Sequence, residues 1–326
     1  MSATTIVQLS DLHLGEDPND TGKPSRGSLF GWFGTKSLEM QSHDPFILSS
    51  LHVNLRIAAR SCGAGDDFDF YVVTGDISTN ATSRERFVFA RQYLTSKVPF
   101  GRSYQVGLAL DQTRLFCVPG NHDKMFEKTP ERYLHAFNSL PAEPPYYRQV
   151  IAKNGRSFHI FGLDSNAYRE GNIGKGAITP ETLGWLGEQL EALPPEKIRS
   201  SVRVVLLHHH PADLNRFKRR SVTAWFADKF TTLDEGSRLL ALCDGRVDVI
   251  MHGHEHLPIA FRDTNFRSVI VSAGTASEWS PRSSQENSFF TLTFDDTMLR
   301  VRKFAWKRAA FPFQRHWDFE IDSSYP

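Results

Sequence analysis

The sequence predicts an α/β fold whose strands end in short polar motifs. Three observations carry that expectation. Short, β-rich apolar runs recur between residues 5 and 251; amphipathic helical patterns fall between several of them; and five short motifs rich in Asp, Asn and His stand where such runs end. The runs are apolar on consecutive positions. Successive strand side chains point to opposite sides, so such runs suit strands covered on both faces.

The elements follow in order. Residues 5–9 (TIVQL) form a strand-like run that stops at Ser10-Asp11. Residues 44–60 place Ile47, Leu48, Leu51, Leu55 and Ala58 near helical spacing. A second strand run, 68–74 (FDFYVVT), ends at Gly75-Asp76, and a helical pattern covers 84–94. Runs at 114–118 (RLFCV) and 157–163 (SFHIFGL) come next, the first ending at Pro119-Gly120-Asn121. A helix over 181–193 has Thr179-Pro180 as its start signal. Runs at 202–207 (VRVVLL) and 247–251 (VDVIM) end at histidines. After His256 the pattern changes: 266–272, 288–294 and 298–304 follow one another as strands without helices, so antiparallel strands complete a mixed sheet.

The 326 residues suit one large domain, 1–326, with insertions near 15–43 and 212–236. The first insertion carries an aromatic patch, Phe30-Gly31-Trp32-Phe33, and the second carries Lys218-Arg219-Arg220. Each follows a ligand motif directly, so each is placed to overhang a site. Hydrophobic residues are 40% and charged residues 23%, as for a packed core. A formal net charge of +1 argues against a protein that coats nucleic acid. The basic and aromatic residues of 300–315 are read as an edge strand with alternating faces, in preference to a nucleic-acid groove. Cys62, Cys117 and Cys243 have neither disulfide nor zinc-ribbon spacing. The start of the chain shows no basic-then-apolar signal, and no apolar run reaches about 18 residues. The expectation is a cytoplasmic protein, with peripheral membrane contact through the aromatic patch left open.

The chemistry sits in the five motifs: Ser10-Asp11-Leu12-His13, Gly75-Asp76, Pro119-Gly120-Asn121-His122-Asp123, His208-His209-His210-Pro211 and Gly253-His254-Glu255-His256. Ligands of α/β sheets collect beyond the carboxyl ends of the strands, where these motifs stand. Asp11 and His13, two apart, face the same way if the strand conformation persists. His254 and His256 share that spacing. The Asp76 carboxylate can bridge two cations, Asn121 offers a neutral oxygen, and one of His208, His209 and His210 completes the set. Mixed oxygen and nitrogen donors suit manganese, iron or zinc better than calcium.

This ordered set resembles the calcineurin-like metallophosphoesterases, whose pattern is D-x-H, G-D, G-N-H-D/E, a histidine in a short His/Pro segment, and G-H-x-H. The resemblance runs from Asp11 to His256 and is greatest to a small bacterial group that includes cyclic-nucleotide and glycerophosphodiester phosphodiesterases. It implies a four-layer αββα sandwich of two mixed sheets. It implies that Asp11, His13, Asp76 and His256 bind a first metal ion, and that Asp76 bridges to a second held also by Asn121, His209 and His254. The family's ligand usually stands two residues before the proline, here Pro211, which selects His209 over His208. His122 is implied as the catalytic proton donor at the substrate phosphate. Many relatives carry an Asp three residues after the bridging one; Thr79 stands there in this chain.

The expected reaction is hydrolysis of a small phosphodiester, with a cyclic nucleotide among the candidates, by a hydroxide bridging two divalent ions. A phosphatase or pyrophosphatase acting on nucleotide- or lipid-linked phosphate is the alternative enzyme. A metal-binding interaction subunit without catalysis is the alternative of another class.

Overall fold

The computed structural model describes residues 3–14, 45–78, 84–100, 104–124, 135–137, 143–167, 174–193, 201–214, 217, 233–276, 287–306 and 313–320. The strands are β1 (Thr4–Leu9), β2 (Phe70–Thr74), β3 (Val98–Phe100), β4 (Tyr104–Val106), β5 (Leu115–Val118), β6 (Tyr146–Ile151), β7 (Ser157–Gly162), β8 (Ser201–Leu206), β9 (Val249–His252), β10 (Ile259–Arg262), β11 (Val269–Ser272), β12 (Asn287–Phe294), β13 (Met298–Trp306) and β14 (Phe313–Glu320). The α-helices are α1 (Pro45–Ser61), α2 (Arg84–Thr95), α3 (Pro180–Ala192) and α4 (Gly236–Cys243).

Two six-stranded sheets form, in the orders β14-β13-β12-β1-β2-β5 and β10-β11-β9-β8-β7-β6; β3 and β4 make a separate hairpin. Each large sheet combines parallel and antiparallel strands. In the first, β1, β2 and β5 run parallel and β12 joins β1 antiparallel. In the second, β7, β8, β9 and β11 run parallel, with β6 and β10 antiparallel at the edges.

Strand alternation explains why the runs are apolar throughout. In β1, Ile6 joins the cluster between the sheets while Val7 and Leu9 face the helices. Phe70 and Val72 of β2 point inward, Tyr71 and Val73 outward; Phe116 and Cys117 of β5 divide in the same way. The outward cluster includes Leu51, Leu55 and Ala58 of α1 and Phe87 and Leu94 of α2. On the far side, Leu183, Leu186 and Leu190 of α3 recur at helical spacing and pack with Leu239 and Cys243 of α4 against Phe161, Val205 and Ile250. The layers are therefore helix, sheet, sheet, helix, which is the expected αββα sandwich of two mixed sheets. Thr179 caps α3 by accepting the Thr182 N–H at 3.2 Å, with Pro180 at the first helical position.

Some elements differ from expectation. The strand at 266–272 begins at Val269 and pairs with β10, which the sequence pattern did not mark. The edge strand expected across 300–315 is two strands. β13 has partners on both sides, and β14 is the edge. The basic residues of β13 are accommodated by pairing: Arg300 Nε lies 3.0 Å from Asp318 Oδ1, and Arg302 donates to the Ser61 carbonyl. The aromatic patch at 30–33 and Lys218-Arg219-Arg220 lie outside the described residues, as does Thr79. Among the described residues, no helix is long and apolar enough to cross a membrane.

Candidate metal centre

The carboxyl ends of the parallel strands bring the motifs together. The segment after β1 supplies Asp11 and His13, that after β2 supplies Asp76, and that after β5 supplies Asn121 and His122. The second sheet contributes His208 after β8, and His254 and His256 after β9.

The expected mechanism of convergence needs correction. β1 stops at Leu9, so Asp11 and His13 do not share a strand face. Both adopt left-handed backbone, with φ of 51° and 45°, and Asp76 (48°), His254 (74°) and His256 (51°) do the same. Such conformations cost a non-glycine residue about 1–3 kcal/mol each. Neighbouring backbone holds them there. Asp11 N–H donates to the Gly75 carbonyl at 3.1 Å, His13 N–H to Asp76 at 2.9 Å, and Leu14 N–H to Ile77 at 2.7 Å. Alternating left-handed residues, and not strand pleating, aim the paired ligands at one centre.

Two glycines permit the close approach of these loops. A Cβ on Gly120 would stand 2.1 Å from Asp76 Oδ1, and one on Gly253 would stand 1.9 Å from Ser10 Oγ and 2.6 Å from Asp11 Oδ2. Asp123 braces the same junction: its carboxylate accepts the N–H groups of Gly120 (2.9 Å), Ile77 (3.1 Å) and Ser78 (2.8 Å). Burial, then the Asp76 charge, pushes the Asp123 carboxyl up to about 7 against those three donors. Asp123 belongs to the loop scaffold, a role its motif position did not disclose.

The donor atoms fall into three clusters, two of which share Asp76. Asp11, His13 and His256 make one; Asp76 joins His13 and His122 in a second, and His208 and His254 in a third; within each, the ligand atoms lie within 4.8 Å of one another. His256 Nε2 is 3.2 Å from Asp11 Oδ1 and 3.3 Å from His13 Nε2. Across the centre, Asn121 Oδ1 is 3.0 Å from both His208 Nε2 and His254 Nδ1. Among the described residues, Asp11 Oδ1, His209 Nε2 and His254 Nε2 are buried polar atoms with no hydrogen-bond partner. Carboxylate, amide and imidazole atoms converging at 3–4 Å suit divalent cations, whose ligands stand about 2 Å from the ion and so about 3 Å from one another.

The structure brings together Asp11, His13, Asp76, Asn121, His254 and His256, with His122 beside them. His122 lies with its ring centroid 4.9 Å from that of His13, its Nε2 3.9 Å from Asp76 Oδ2 and its N–H donating to Asp76 Oδ1 at 2.9 Å. His209 stands beside them too, its ring centroid 4.4 Å from that of His254. The ring that reaches Asp76 is His208, with Nε2 3.3 Å from Oδ2. His208 Nδ1 lies 2.8 Å from the Thr74 carbonyl oxygen, which can only accept, so Nδ1 carries a proton and Nε2 faces the cluster. His209 Nδ1 lies 2.9 Å from Ser165 Oγ, with the ring against His254. β8 ends at Leu206, and the first histidine of the segment crosses to Thr74 and Asp76 of the first sheet.

Charge around Asp76 sets the protonation of the centre. Burial would raise the Asp76 carboxyl, but the charges of His208 and His122 prevail and hold it well below the carboxylate range. Burial pulls the His208 imidazole down, yet the Asp76 carboxylate overrides it and pushes it up to about 9. Burial, then the His208 charge, takes His254 down to about 3. Burial, then the His122 charge, also holds His13 well below its ordinary value. A divalent ion coordinated by His208 must displace the Nε2 proton, whereas His13 and His254 are already neutral. Apparent metal affinity should therefore rise with pH up to about 9, with about one proton released per chain near neutrality. Calorimetry of Mn²⁺ binding in buffers of different ionisation enthalpy measures that proton.

The family model for calcineurin-like phosphoesterases matches residues 4–258, which include every motif residue above. The chain belongs to that family. Family chemistry is hydrolysis of phosphoric esters with divalent metal ions, and the His/Asp clusters are groups that could hold such ions. Among curated relatives, the chain is 26% identical over 273 residues to a "Probable cyclic nucleotide phosphodiesterase" of Coxiella burnetii, covering 81% of each chain. It is 23% identical over 209 residues to a "Probable glycerophosphodiester phosphodiesterase" of Arcobacter nitrofigilis, covering 64% of this chain and 58% of that one. Among solved structures, PhoD superposes with a TM-score of 0.51 at 12% identity over 100% of this chain and 71% of PhoD, a likeness of fold alone.

Proposed function

We propose that this phosphoesterase hydrolyses a small phosphodiester, with a cyclic nucleotide among the candidates, at a two-ion centre. Asp11, His13, Asp76 and His256 would hold one ion; Asp76, Asn121, His208 and His254 would hold the other. The observation that carries this reading is the Asp76 carboxylate, shared between donor clusters contributed by both sheets. The diester preference is supported by the two curated relatives, whose names both specify phosphodiesterases. The mixed donor set favours manganese, iron or zinc.

Divalent cations held by these residues would supply Lewis-acid binding of phosphate oxygens and a water of lowered pKa. The chain's own residues supply the remaining functions. Asn121 contributes an oxygen without adding negative charge near the anionic substrate. Asp76 Oδ1 holds the His122 backbone and so fixes where its ring starts. At 3.9 Å, Asp76 Oδ2 is too distant to accept the His122 Nε2 proton; in this reading that proton goes to the leaving oxygen.

Replacing His122 by Ala should leave metal uptake intact and lower kcat by about 10²–10⁴-fold for esters with alkoxide leaving groups. p-Nitrophenolate departs without a proton, so the loss should be smaller with bis(p-nitrophenyl) phosphate. Comparing that diester with a dialkyl or cyclic-nucleotide diester, whose leaving group is an alkoxide, tests the role. Metal-dependent preference for p-nitrophenyl phosphate over the diester would move the reading to a phosphatase.

A further inference from the structure

Ser165 is fully buried and stands just beyond β7, at the strand end beside His208 and His209. Its hydroxyl has three partners. The backbone N–H groups of His208 and His209 donate to Oγ at 3.2 and 3.1 Å, and Oγ lies 2.9 Å from His209 Nδ1. A hydroxyl owns two lone pairs and one proton. The two N–H groups take the lone pairs, so the proton goes to His209 Nδ1, and a neutral His209 carries its own proton on Nε2. Among the described residues, His209 Nε2 is buried with no hydrogen-bond partner. The ring is also seated against Gly176, where a Cβ would stand 2.4 Å from His209 Cγ.

Ser165 is itself anchored. Its carbonyl accepts the Ala177 N–H at 2.9 Å, and two residues earlier Leu163 N–H donates to the Leu206 carbonyl at 2.8 Å, continuing the β7–β8 ladder. The hydroxyl thus ties a rigid strand end to the peptide groups that carry His208. His208 is gripped again at its ring, by the Thr74 carbonyl across the sheets.

We propose that Ser165 is a positioning residue for the second ion. It clamps the His208–His209 backbone so that the His208 ring faces Asp76 and Asn121. The proposal rests on the two-ion reading above.

The test is calorimetric titration of metal-stripped protein with Mn²⁺, with the melting temperature of each variant. In Ser165→Ala the first ion should bind as in the wild type and the second about 10–100-fold more weakly, as for loss of a group that orients a ligand. At saturating Mn²⁺, kcat should return close to the wild-type value. Ser165→Thr, which keeps the hydroxyl, should restore the second affinity to within about threefold. Two affinities unchanged in Ser165→Ala would overturn the proposal. Equal weakening of both ions, without rescue by Thr, would mark general loosening and overturn it as well. If Ser165→Ala does not fold, Ser165→Cys makes the same measurement with a weaker acceptor of similar size and a smaller expected shift. A wild type that takes up fewer than two ions would sink the two-ion reading, and the Ser165 role with it.

Discussion

Asp76→Asn should abolish turnover more completely than any other single change at the centre. Its carboxylate is the donor common to the His13/His122 and the His208/His254 clusters, so its charge serves both proposed ions. Asparagine keeps one oxygen but removes the charge, and two cations close together are then opposed by Asp11 alone. Loss of one well-placed electrostatic donor costs about 10²–10³-fold; a group serving both ions should cost on the order of 10³-fold in kcat/KM or more. His208 supplies an independent readout. The Asp76 charge is what pushes that imidazole up to about 9, so the metal-free Asp76→Asn protein should bind a proton there only at clearly lower pH. Metal analysis and steady-state kinetics on one preparation check the first effect, and NMR titration of the imidazole checks the second. Full activity in Asp76→Asn with no added metal requirement would remove the basis of the account.

The second large effect separates two adjacent histidines. His208→Ala removes the ring that spans from β8 to Thr74, Asp76 and Asn121. It should eliminate high-affinity binding of the second ion and lower kcat/KM by about 10²–10³-fold at ordinary metal concentrations. His209→Ala should retain both ions and most of the activity, within about tenfold, while losing stability because a buried ring is truncated. Mn²⁺ titration and thermal melting of the two variants distinguish them. The opposite ranking, with His209→Ala metal-deficient and His208→Ala active, would return the ligand role to the residue two before Pro211.

That contrast shows what was legible in the chain. The parallel strands are buried on both faces, so β1, β2, β5, β8 and β9 stood out as apolar runs, and their ends marked the ligand motifs. β6 and β14 escaped because edge strands alternate or carry charge: Tyr146–Ile151 is mostly part-exposed, and Phe313–Glu320 mixes aromatic with charged residues. Residue identities at the centre could be read, but ring directions could not. The left-handed backbone at Asp11, His13, Asp76, His254 and His256 depends on hydrogen bonds between loops distant in sequence, and no local pattern encodes it. His208 meets Thr74, Asp76 and Asn121 of the first sheet, whereas His209 meets Ser165 and His254 of its own. Asp123 and Ser165 look ordinary in sequence because their roles consist of backbone N–H groups brought to them by the fold.

The most direct measurement is stepwise return of Mn²⁺ to metal-stripped wild-type protein while bound metal and bis(p-nitrophenyl) phosphate hydrolysis are followed together. The account predicts uptake of two ions per chain, with diesterase activity appearing as the second is bound and exceeding p-nitrophenyl phosphate hydrolysis. Activity that survives complete stripping, or reaches its maximum with a single ion bound, would contradict it.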